Sequence, residues 1–320
     1  MLRKIRLVAA LLFFTMITLL FLDFTGTVHG WFGWMAKIQF LPAVLALNVG
    51  VVIALVLLTL LLGRVYCSVI CPLGVFQDVI SWISGRRKKK KYRFSYSPAK
   101  SWLRYSVLAL FILALIAGIG SVVALLAPYS SYGRIASNLF APVYRWGNNL
   151  LAYVAERADS YAFYETDVWM KSLPTFIIAV LTFIIIGVLA WRNGRTYCNT
   201  ICPVGTILSF LSRFSLLRIT IDTDKCNACG LCSRKCKAAC INGKVHTVDY
   251  SRCVACMDCI DTCRHGAISL KPLRPLKPLQ TSPEGEASKI EAPNSPSGGV
   301  EGTSRRSFLS TTAVLAVSSA

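Results

Sequence analysis

Eight cysteines in two runs of identical spacing are the residues of this chain best suited to chemistry. Each run has the form C-x2-C-x2-C-x3-C, which is the ligand spacing of a bacterial two-cluster ferredoxin. In that arrangement the fourth cysteine of each run binds the other cluster. We therefore predict two [4Fe-4S] clusters, one held by Cys226, Cys229, Cys232 and Cys263 and the other by Cys253, Cys256, Cys259 and Cys236. The alternatives fit less well, since zinc needs four ligands rather than eight and no secretory cleavage site precedes a disulfide framework.

The two runs form an internal repeat, because a shift of 27 residues superposes every ligand. The proline that usually follows the fourth cysteine is replaced by Lys237 in the first copy and by Arg264 in the second. A ninth cysteine, Cys240, aligns with Ala267, which favours a small buried residue over a ligand. Free thiolates and oxygen-sensitive clusters indicate a reducing compartment for this segment.

The rest of the chain has the composition of an integral membrane protein, since hydrophobic residues make up 54% of the sequence. Three uncharged stretches, residues 41–62, 106–127 and 173–191, are each long enough to cross a hydrocarbon core as a helix. Residues 7–22 form a shorter stretch after a basic start, which is also typical of a signal peptide. The sequence Asp23-Phe24-Thr25-Gly26 that follows offers no small-residue cleavage site. We therefore predict four spans.

The distribution of basic residues predicts the orientation of these spans. Residues 63–100 carry nine basic residues and one acid, whereas residues 128–172 carry four of each. Because basic loops stay in the cytoplasm, we expect a multi-pass protein of the bacterial cytoplasmic membrane with its ferredoxin segment in the cytoplasm. Much of the formal net charge of +20 then reports topology. A basic run beside a membrane meets anionic lipid more often than nucleic acid, so we predict no nucleic-acid partner.

A second repeat follows the second and fourth spans. Residues 63–74 read GRVYCSVICPLG and residues 194–205 read GRTYCNTICPVG, with eight of twelve positions identical. Each copy predicts half of a duplicated unit, a helical hairpin that ends in C-x3-C-P and is followed by an interfacial helix. If the two halves meet about a pseudo-twofold axis, Cys67, Cys71, Cys198 and Cys202 could hold a further iron–sulfur cluster or act as redox or metal-transfer thiols. They could also be structural cysteines. Arg64 and Arg195 would partly offset the charge of a cluster there.

These motifs together resemble the NapH/NosR/CcoG-type family of polytopic membrane proteins with ferredoxin-type [4Fe-4S] segments. The resemblance covers about residues 1–270 and rests on four spans, paired C-x3-C-P motifs and a two-cluster ferredoxin segment behind them. It implies electron transfer between the membrane quinone pool and a redox partner protein whose identity it leaves open. The family pattern Pro-Tyr-Ser-x-(Phe/Tyr)-Gly-Arg after the third span is matched by residues 128–134.

This matched element suggests a candidate quinol site, although no catalytic residue is assigned. Tyr129, Tyr132 and Arg134 could hold a quinol head group by hydrogen bonds, and His29 could accept a proton. The alternatives are an aromatic belt at the membrane interface for the tyrosines and a surface residue for the histidine.

The predicted architecture is a membrane all-α four-helix bundle of duplicated hairpins (1–219) with a small α+β two-cluster bacterial ferredoxin-like domain (220–271). Residues 272–303 are rich in Pro, Ser, Gly and Glu and predict a disordered linker. Residues 304–320 begin Ser-Arg-Arg-Ser-Phe-Leu and resemble a twin-arginine export signal, so we expect an exported module beyond the chain end.

Two functions compete at this stage. The first is a membrane electron-transfer protein linking the quinone pool to a partner through two [4Fe-4S] clusters, in the manner of a quinol dehydrogenase subunit. The second is a metal-reducing, maturation or regulatory factor for a respiratory metalloenzyme, acting through the C-x3-C-P thiols. A transporter is disfavoured because the three long spans carry no charged residue.

Overall fold

The computed structural model describes residues 2–86, 94–157, 164–168, 172–243 and 245–272. The predicted linker after Pro272, the twin-arginine segment and the basic run after Arg86 lie outside the described residues. The predicted membrane part (1–219) and ferredoxin part (220–271) both fall within one compact unit, residues 1–274.

The membrane part is helical and consists of two halves, each of which ends in an apolar helix, a five-residue helix and a helix that starts with proline. The first half contains α1 (Leu2–Leu22), α2 (Thr27–Phe32), α3 (Trp34–Lys37), α4 (Phe40–Leu45), α5 (Val49–Leu62), α6 (Val65–Val69) and α7 (Pro72–Gly85). The second half contains α8 (Ser101–Ile116), α9 (Gly120–Leu126), α10 (Pro128–Ile135), a π-helical turn (Ala136–Phe140), α11 (Ala141–Arg157), α12 (Leu173–Asn193), α13 (Thr196–Thr200) and α14 (Pro203–Ser212).

Among the described residues, two helices are long and apolar enough to cross a membrane, α1 and α12, each of 21 residues. The other two predicted spans are divided. The segment 41–62 breaks between α4 and α5, where Leu47 has φ 50° and Asn48 caps the next helix. The segment 106–127 breaks between α8 and α9 at Gly118, φ 70°. The structure therefore differs from a bundle of four unbroken helices, because left-handed residues end a helix even within an apolar run.

The two halves interlock through the helices that follow the C-x3-C-P motifs. Helix α7 packs against α1 of its own half and α12 of the other, and α14 packs against α8 of its own half and α5 of the other. Both helices start with a proline at their first position, Pro72 and Pro203, which is favourable there because no intrahelical N–H is lost. This exchange carries the two cysteine motifs to the centre of the bundle.

The ferredoxin part combines two small antiparallel sheets with two short helices. Its elements are β1 (Leu217–Ile221), α15 (Leu231–Lys235), β2 (Ile241–Asn242), β3 (Thr247–Val248), α16 (Asp258–Thr262) and β4 (Ile268–Pro272). Strand β1 pairs with β4 from Leu217 opposite Pro272 to Ile221 opposite Ile268, and β2 pairs with β3. The predicted α+β character is confirmed. Strand β1 also contacts α5, which attaches the ferredoxin part to the bundle.

Candidate iron–sulfur centres

The four cysteines predicted to share the first cluster line one cavity of the ferredoxin part. These four, here called the outer set, are Cys226, Cys229, Cys232 and Cys263. Cys229 is exposed and the other three are partly exposed. The structure thus places the last cysteine of the second run beside three cysteines of the first run, in the arrangement that the cross-over rule predicts.

The remaining four ferredoxin cysteines line a second cavity. These four, here called the inner set, are Cys236, Cys253, Cys256 and Cys259. Three of them are buried and Cys253 is partly exposed. Burial raises the pKa of the Cys259 thiol, and its neighbours Cys256 and Cys253 raise that pKa further. Ionised thiols in this set therefore need a positive centre among them.

The backbone conformations around the two cavities repeat as faithfully as the cysteines. Left-handed residues occur at equivalent positions of the two runs, in three pairs: Ala228 and Ala255 (φ 54° and 48°), Gly230 and Met257 (68° and 60°), Ala239 and Gly266 (52° and 62°). Only some of these residues are glycine, although a left-handed conformation costs other residues about 1–2 kcal/mol. The tight loops that place the thiols are therefore maintained against local strain.

Cys240 lies inside the second cavity, next to the inner set. Its Sγ atom is 3.4 Å from Sγ of Cys236, and its side chain is 1% exposed, as is that of the equivalent Ala267. The prediction of a small buried residue is confirmed. The hydrogen bond from Cys240 lowers the pKa of the Cys236 thiol. That Cys240 is dispensable for cluster binding remains a prediction.

The donor sets fit cubane clusters. Each cavity offers four thiols, one for each iron of a [4Fe-4S] cluster. In the described part of the chain, no three His, Cys, Asp or Glu side chains lie close enough together to hold a single metal ion. A cubane takes its ligands at four separate corners, so its thiolates stand farther apart than those around one ion. The number of thiols around each cavity is the number that such a cluster requires.

The C-x3-C-P cysteines of the two halves come together at the centre of the molecule. These four, here called the buried quartet, are Cys67, Cys71, Cys198 and Cys202, each 3–4% exposed. Burial raises the pKa of the Cys71 and Cys202 thiols, and the charge of the neighbouring Cys198 raises both further. The structure therefore brings together two pairs of thiols that lie far apart in sequence.

The geometry explains the two glycines that both copies of the twelve-residue repeat share. Gly63 and Gly194 have φ 74° and 70°, conformations that favour glycine. At Gly74 an added Cβ would overlap the carbonyl oxygen of Cys67, and at Gly205 it would overlap that of Cys198. The close approach of each following helix to its own cysteine loop is possible only without a side chain.

Each of the two arginines of the repeat contacts the other half of the bundle. Arg64 donates to the carbonyl oxygen of Cys198 (3.1 Å) and to Oδ1 of Asn199 (2.8 Å). Arg195 donates to the carbonyl oxygen of Cys67 (2.5 Å). Each guanidinium thus holds the first cysteine loop of the other copy, and both side chains are fully buried. Both arginines therefore lie beside the C-x3-C-P loops, and that they offset the charge of a cluster there remains a prediction.

The charges of the two arginines are compensated differently. Arg195 forms an ion pair with Asp78, at 2.6 Å. No ion pair in the described part of the chain includes Arg64, although a buried cation is costly without an anionic partner. Its guanidinium lies 3.9 Å from Sγ of Cys67 and also donates to the carbonyl oxygen of Ser251, two residues before Cys253 of the inner set. Arg64 therefore bridges the buried quartet and the inner set.

The two tyrosines of the repeat have different partners. The Tyr66 hydroxyl donates to Oε1 of Gln39 (3.0 Å). The Tyr197 hydroxyl points to the turn before α10, where it donates to the carbonyl oxygen of Leu126 (3.4 Å). Arg134 donates to Oγ of Ser131 on the same helix (3.3 Å). Tyr197 therefore connects the buried quartet to the element proposed from the sequence to hold quinol.

The structure places three of the four candidate quinol residues on one helix. Tyr129 and Arg134 are partly exposed on α10, whereas Tyr132 is fully buried, with its hydroxyl 2.6 Å from that of Thr18. His29 is exposed on α2, and its backbone N–H donates to Asp23. No described hydrogen bond or ring contact joins His29 to the other three.

Several residues of these centres were not singled out from the sequence. Gln77 donates to Sγ of Cys198 (3.3 Å), and Asp78 is surrounded by Arg6, Arg195 and Lys237. Burial alone would raise the pKa of Asp78, but Arg195 and Lys237 hold it well below its usual range. The one available signal was that Asp78 is the single acid of residues 63–100.

Comparison with known proteins supports the iron–sulfur character of these regions. Two family models, both described as a 4Fe-4S binding domain, match the chain. One matches residues 44–91 and again 173–221, which contain the two C-x3-C-P motifs, and the other matches residues 246–269. No solved structure matches the chain.

Three relatives have informative names. The chain is 26% identical to the methylamine utilization ferredoxin-type protein MauN of Methylobacillus flagellatus, over 65% of this chain and 62% of MauN. It is 22% identical to the putative electron transport protein YccM of Escherichia coli, over 70% of this chain and 55% of YccM. It is 27% identical to the ferredoxin-type protein NapH of Haemophilus influenzae, over 70% of this chain and 67% of NapH.

The matched region thus spans less than two thirds of MauN and of YccM. The relatives also include a regulatory protein NosR, so the resemblance drawn from the motifs is confirmed. The chain is thus similar to proteins with 4Fe-4S binding domains, and its relatives named ferredoxin-type or electron-transport proteins include NapH and YccM.

Proposed function

We propose that this protein connects the quinone pool of the cytoplasmic membrane to a redox partner protein in the cytoplasm. In this proposal, three centres lie in series: the buried quartet, the inner set and the outer set. When bound, [4Fe-4S] clusters supply one-electron transfer at these places. The chain's own residues position the three centres, balance their charge and limit the access of water.

The observation that carries the proposal is the position of Arg64. Its guanidinium contacts the cysteine loops of both halves of the buried quartet and the backbone just before the inner set. Because Arg64 is fully buried and has no described carboxylate partner, a thiolate-bound, negatively charged centre at the quartet would balance it. This supports the view that the quartet is a third redox centre and that the inner set is its neighbour.

The order of the two ferredoxin sets follows from their exposure. The inner set lies against the bundle, and the outer set carries the exposed Cys229. A partner protein can approach the outer set more closely, and electron transfer weakens steeply with distance. The outer set is therefore the place of exchange with the partner.

The quinone end of the series is proposed at α10. Arg134 and Tyr129 are partly exposed there, and both side chains can hydrogen-bond an oxygen of a quinone head group. The Tyr197 hydroxyl donates to the carbonyl oxygen of Leu126, two residues before this helix, and so links the quartet to the turn that leads into it. We further propose that both broken segments cross the membrane with α1 and α12, which gives four crossings and a cytoplasmic ferredoxin part.

The alternative role in metal transfer is less well supported by the geometry. Transfer of a metal ion to a nascent enzyme requires thiols that a partner can reach. All four thiols of the quartet are at most 4% exposed, and each pair is covered by an arginine from the other half. A relay of electrons needs no such access.

The experiment is a comparison of Cys67→Ala, Cys198→Ala and the double variant in anaerobically purified membranes. Reduced duroquinol is added, and reduction of the ferredoxin clusters is followed by low-temperature EPR. Since the quartet acts as one unit, we expect the same loss in each single variant and little further loss in the double variant. Cys240→Ala serves as the matched control and should keep wild-type reduction.

Full quinol-dependent reduction in either single variant would contradict a shared site. Losses that add in the double variant would contradict it as well. Reduction by dithionite should remain normal in all variants, because the inner and outer sets are unchanged.

A further inference from the structure

Lys237 follows the last cysteine of the first run, at the position where bacterial ferredoxin motifs have a proline. Its equivalent in the second run is Arg264. The lysine adjoins Cys236 of the inner set, whereas the arginine adjoins Cys263 of the outer set. Both copies thus carry a cation where a proline is typical, and the two cations have very different surroundings.

The ammonium group of Lys237 lies between two buried carboxylates. Its Nζ atom is 3.0 Å from Oδ2 of Asp258, which precedes Cys259 of the inner set, and 3.6 Å from Oδ1 of Asp78 on α7. The side chains of all three residues are 10–18% exposed. The lysine therefore joins an acid of the ferredoxin part to an acid of the bundle.

The backbone of Lys237 is held at the same interface. Its carbonyl oxygen accepts a hydrogen bond of 3.0 Å from the backbone N–H of Arg195. At Gly194 an added Cβ would lie 2.6 Å from that oxygen, so the second copy of the repeat approaches Lys237 as closely as a glycine allows. Arg195 also donates to both carboxylate oxygens of Asp78. Lys237 is thus fixed by its main chain and its side chain.

The charge balance around Lys237 favours a role in electron transfer. A cation near an iron–sulfur centre stabilises its reduced, more negative form, and net charge is one of the factors that set the potential of such centres. Burial raises the pKa of the Cys256 thiol and the nearby Asp258 raises it further, whereas Lys237 lowers it. Without Lys237, Asp78 and Asp258 would face the inner set with one cation fewer. Solvent does little to screen charges at this depth.

Arg264 has no such buried surroundings. It is exposed, so water and salt screen its charge from the outer set. The repeat therefore supplies its own comparison between a buried and an exposed cation at the same position.

We propose that Lys237 is a positioning residue that raises the redox potential of the inner cluster above the value its ligands alone would give, and that it holds this cluster against the buried quartet. The inference rests on the proposed function in one respect, namely that the inner set binds a [4Fe-4S] cluster. It adds the residue that makes the inner cluster the acceptor of electrons from the membrane side.

The test is an EPR-monitored redox titration of the full chain with dithionite and mediators, without quinol. Lys237→Met and Lys237→Gln should each lower one of two midpoint potentials. We expect a shift that disfavours reduction of the inner cluster by tenfold or more, which is about 59 mV for a one-electron couple. Lys237→Arg should restore most of the potential, and Arg264→Met should leave both potentials near their wild-type values.

The two uncharged variants separate charge from position. Glutamine can still hydrogen-bond both carboxylates, so a normal potential in Lys237→Gln would overturn the proposal even if Lys237→Met loads poorly. Equal shifts in Lys237→Gln and Arg264→Met would overturn it too. Because the titration uses dithionite, a failed quinone link leaves the result intact, whereas a wild-type protein with one ferredoxin cluster would contradict the function on which the inference rests.

Discussion

The two cysteine runs of the ferredoxin part share their spacing and their backbone conformations, but not their surroundings. The loop of the first run is exposed to solvent at Cys229, and the loop of the second run is buried from Val254 to Cys259 against the bundle. The two runs thus have the same cysteine spacing. They differ in exposure to solvent, because only the second run is packed against the membrane part. The comparison indicates that the cysteine motif determines which kind of cluster can bind. The surroundings of each cluster determine its place in the order of electron transfer.

The largest effect is expected when the interface beneath the inner set is broken. Asp78→Asn removes the carboxylate that Arg6, Arg195 and Lys237 share, and of these three cations only Lys237 keeps another described carboxylate partner, Asp258. Removing one member of a buried ion pair typically costs about 3–5 kcal/mol. We expect a loss of that order in the free energy of unfolding, measured by denaturant titration in detergent.

A matched control is Asp261→Asn. Asp261 is paired with Arg3 but its side chain is 53% exposed, so the expected loss is below about 1 kcal/mol. Equal losses in the two variants would show that the buried network contributes no more than a surface pair.

A second prediction concerns the access of a soluble oxidant to the two clusters. Ferricyanide should destroy the outer cluster several-fold faster than the inner one, because Cys229 is exposed whereas Cys256 and Cys259 are 9% and 6% exposed. The loss of each EPR signal over time is the measurement. Loss of both signals at one rate would remove the distinction between outer and inner sets.

The smallest expected effect is a difference in stability between glycine variants of the strained alanines in the two loops. Ala228→Gly relieves a left-handed conformation at an exposed position and should stabilise the protein by about 1 kcal/mol. Ala255 has the same conformation but is buried, so the methyl group lost in Ala255→Gly offsets most of the gain. Thermal unfolding midpoints of the two variants test this difference, and a larger gain for Ala255→Gly would contradict it.

Local patterns in the sequence predicted a large part of the candidate centres. The cross-over of Cys236 and Cys263 follows from short spacings, and the meeting of Cys67 with Cys198 follows from a repeat whose halves must share an axis. Both inferences need little knowledge of the rest of the fold. The sequence predicted that Arg64 and Arg195 lie near the C-x3-C-P thiols. It did not show that each arginine contacts the cysteine loop of the other copy.

Other features depended on tertiary structure. Hydrophobicity alone does not show that Leu47 and Gly118 interrupt two apolar segments, since a left-handed residue has no distinct hydropathy. The pairing of Lys237 with Asp78 joins residues that are 159 positions apart in the sequence, and no periodic pattern connects them.

The central claim is that three sets of four cysteines each hold a cluster, and the most direct test is the iron and acid-labile sulfide content of the anaerobically purified chain. The account predicts about twelve irons per chain in the wild type. A variant with both Cys67 and Cys198 replaced by alanine should contain about eight, with both ferredoxin EPR signals retained. A wild-type value of about eight that the double replacement leaves unchanged would contradict a cluster at the buried quartet.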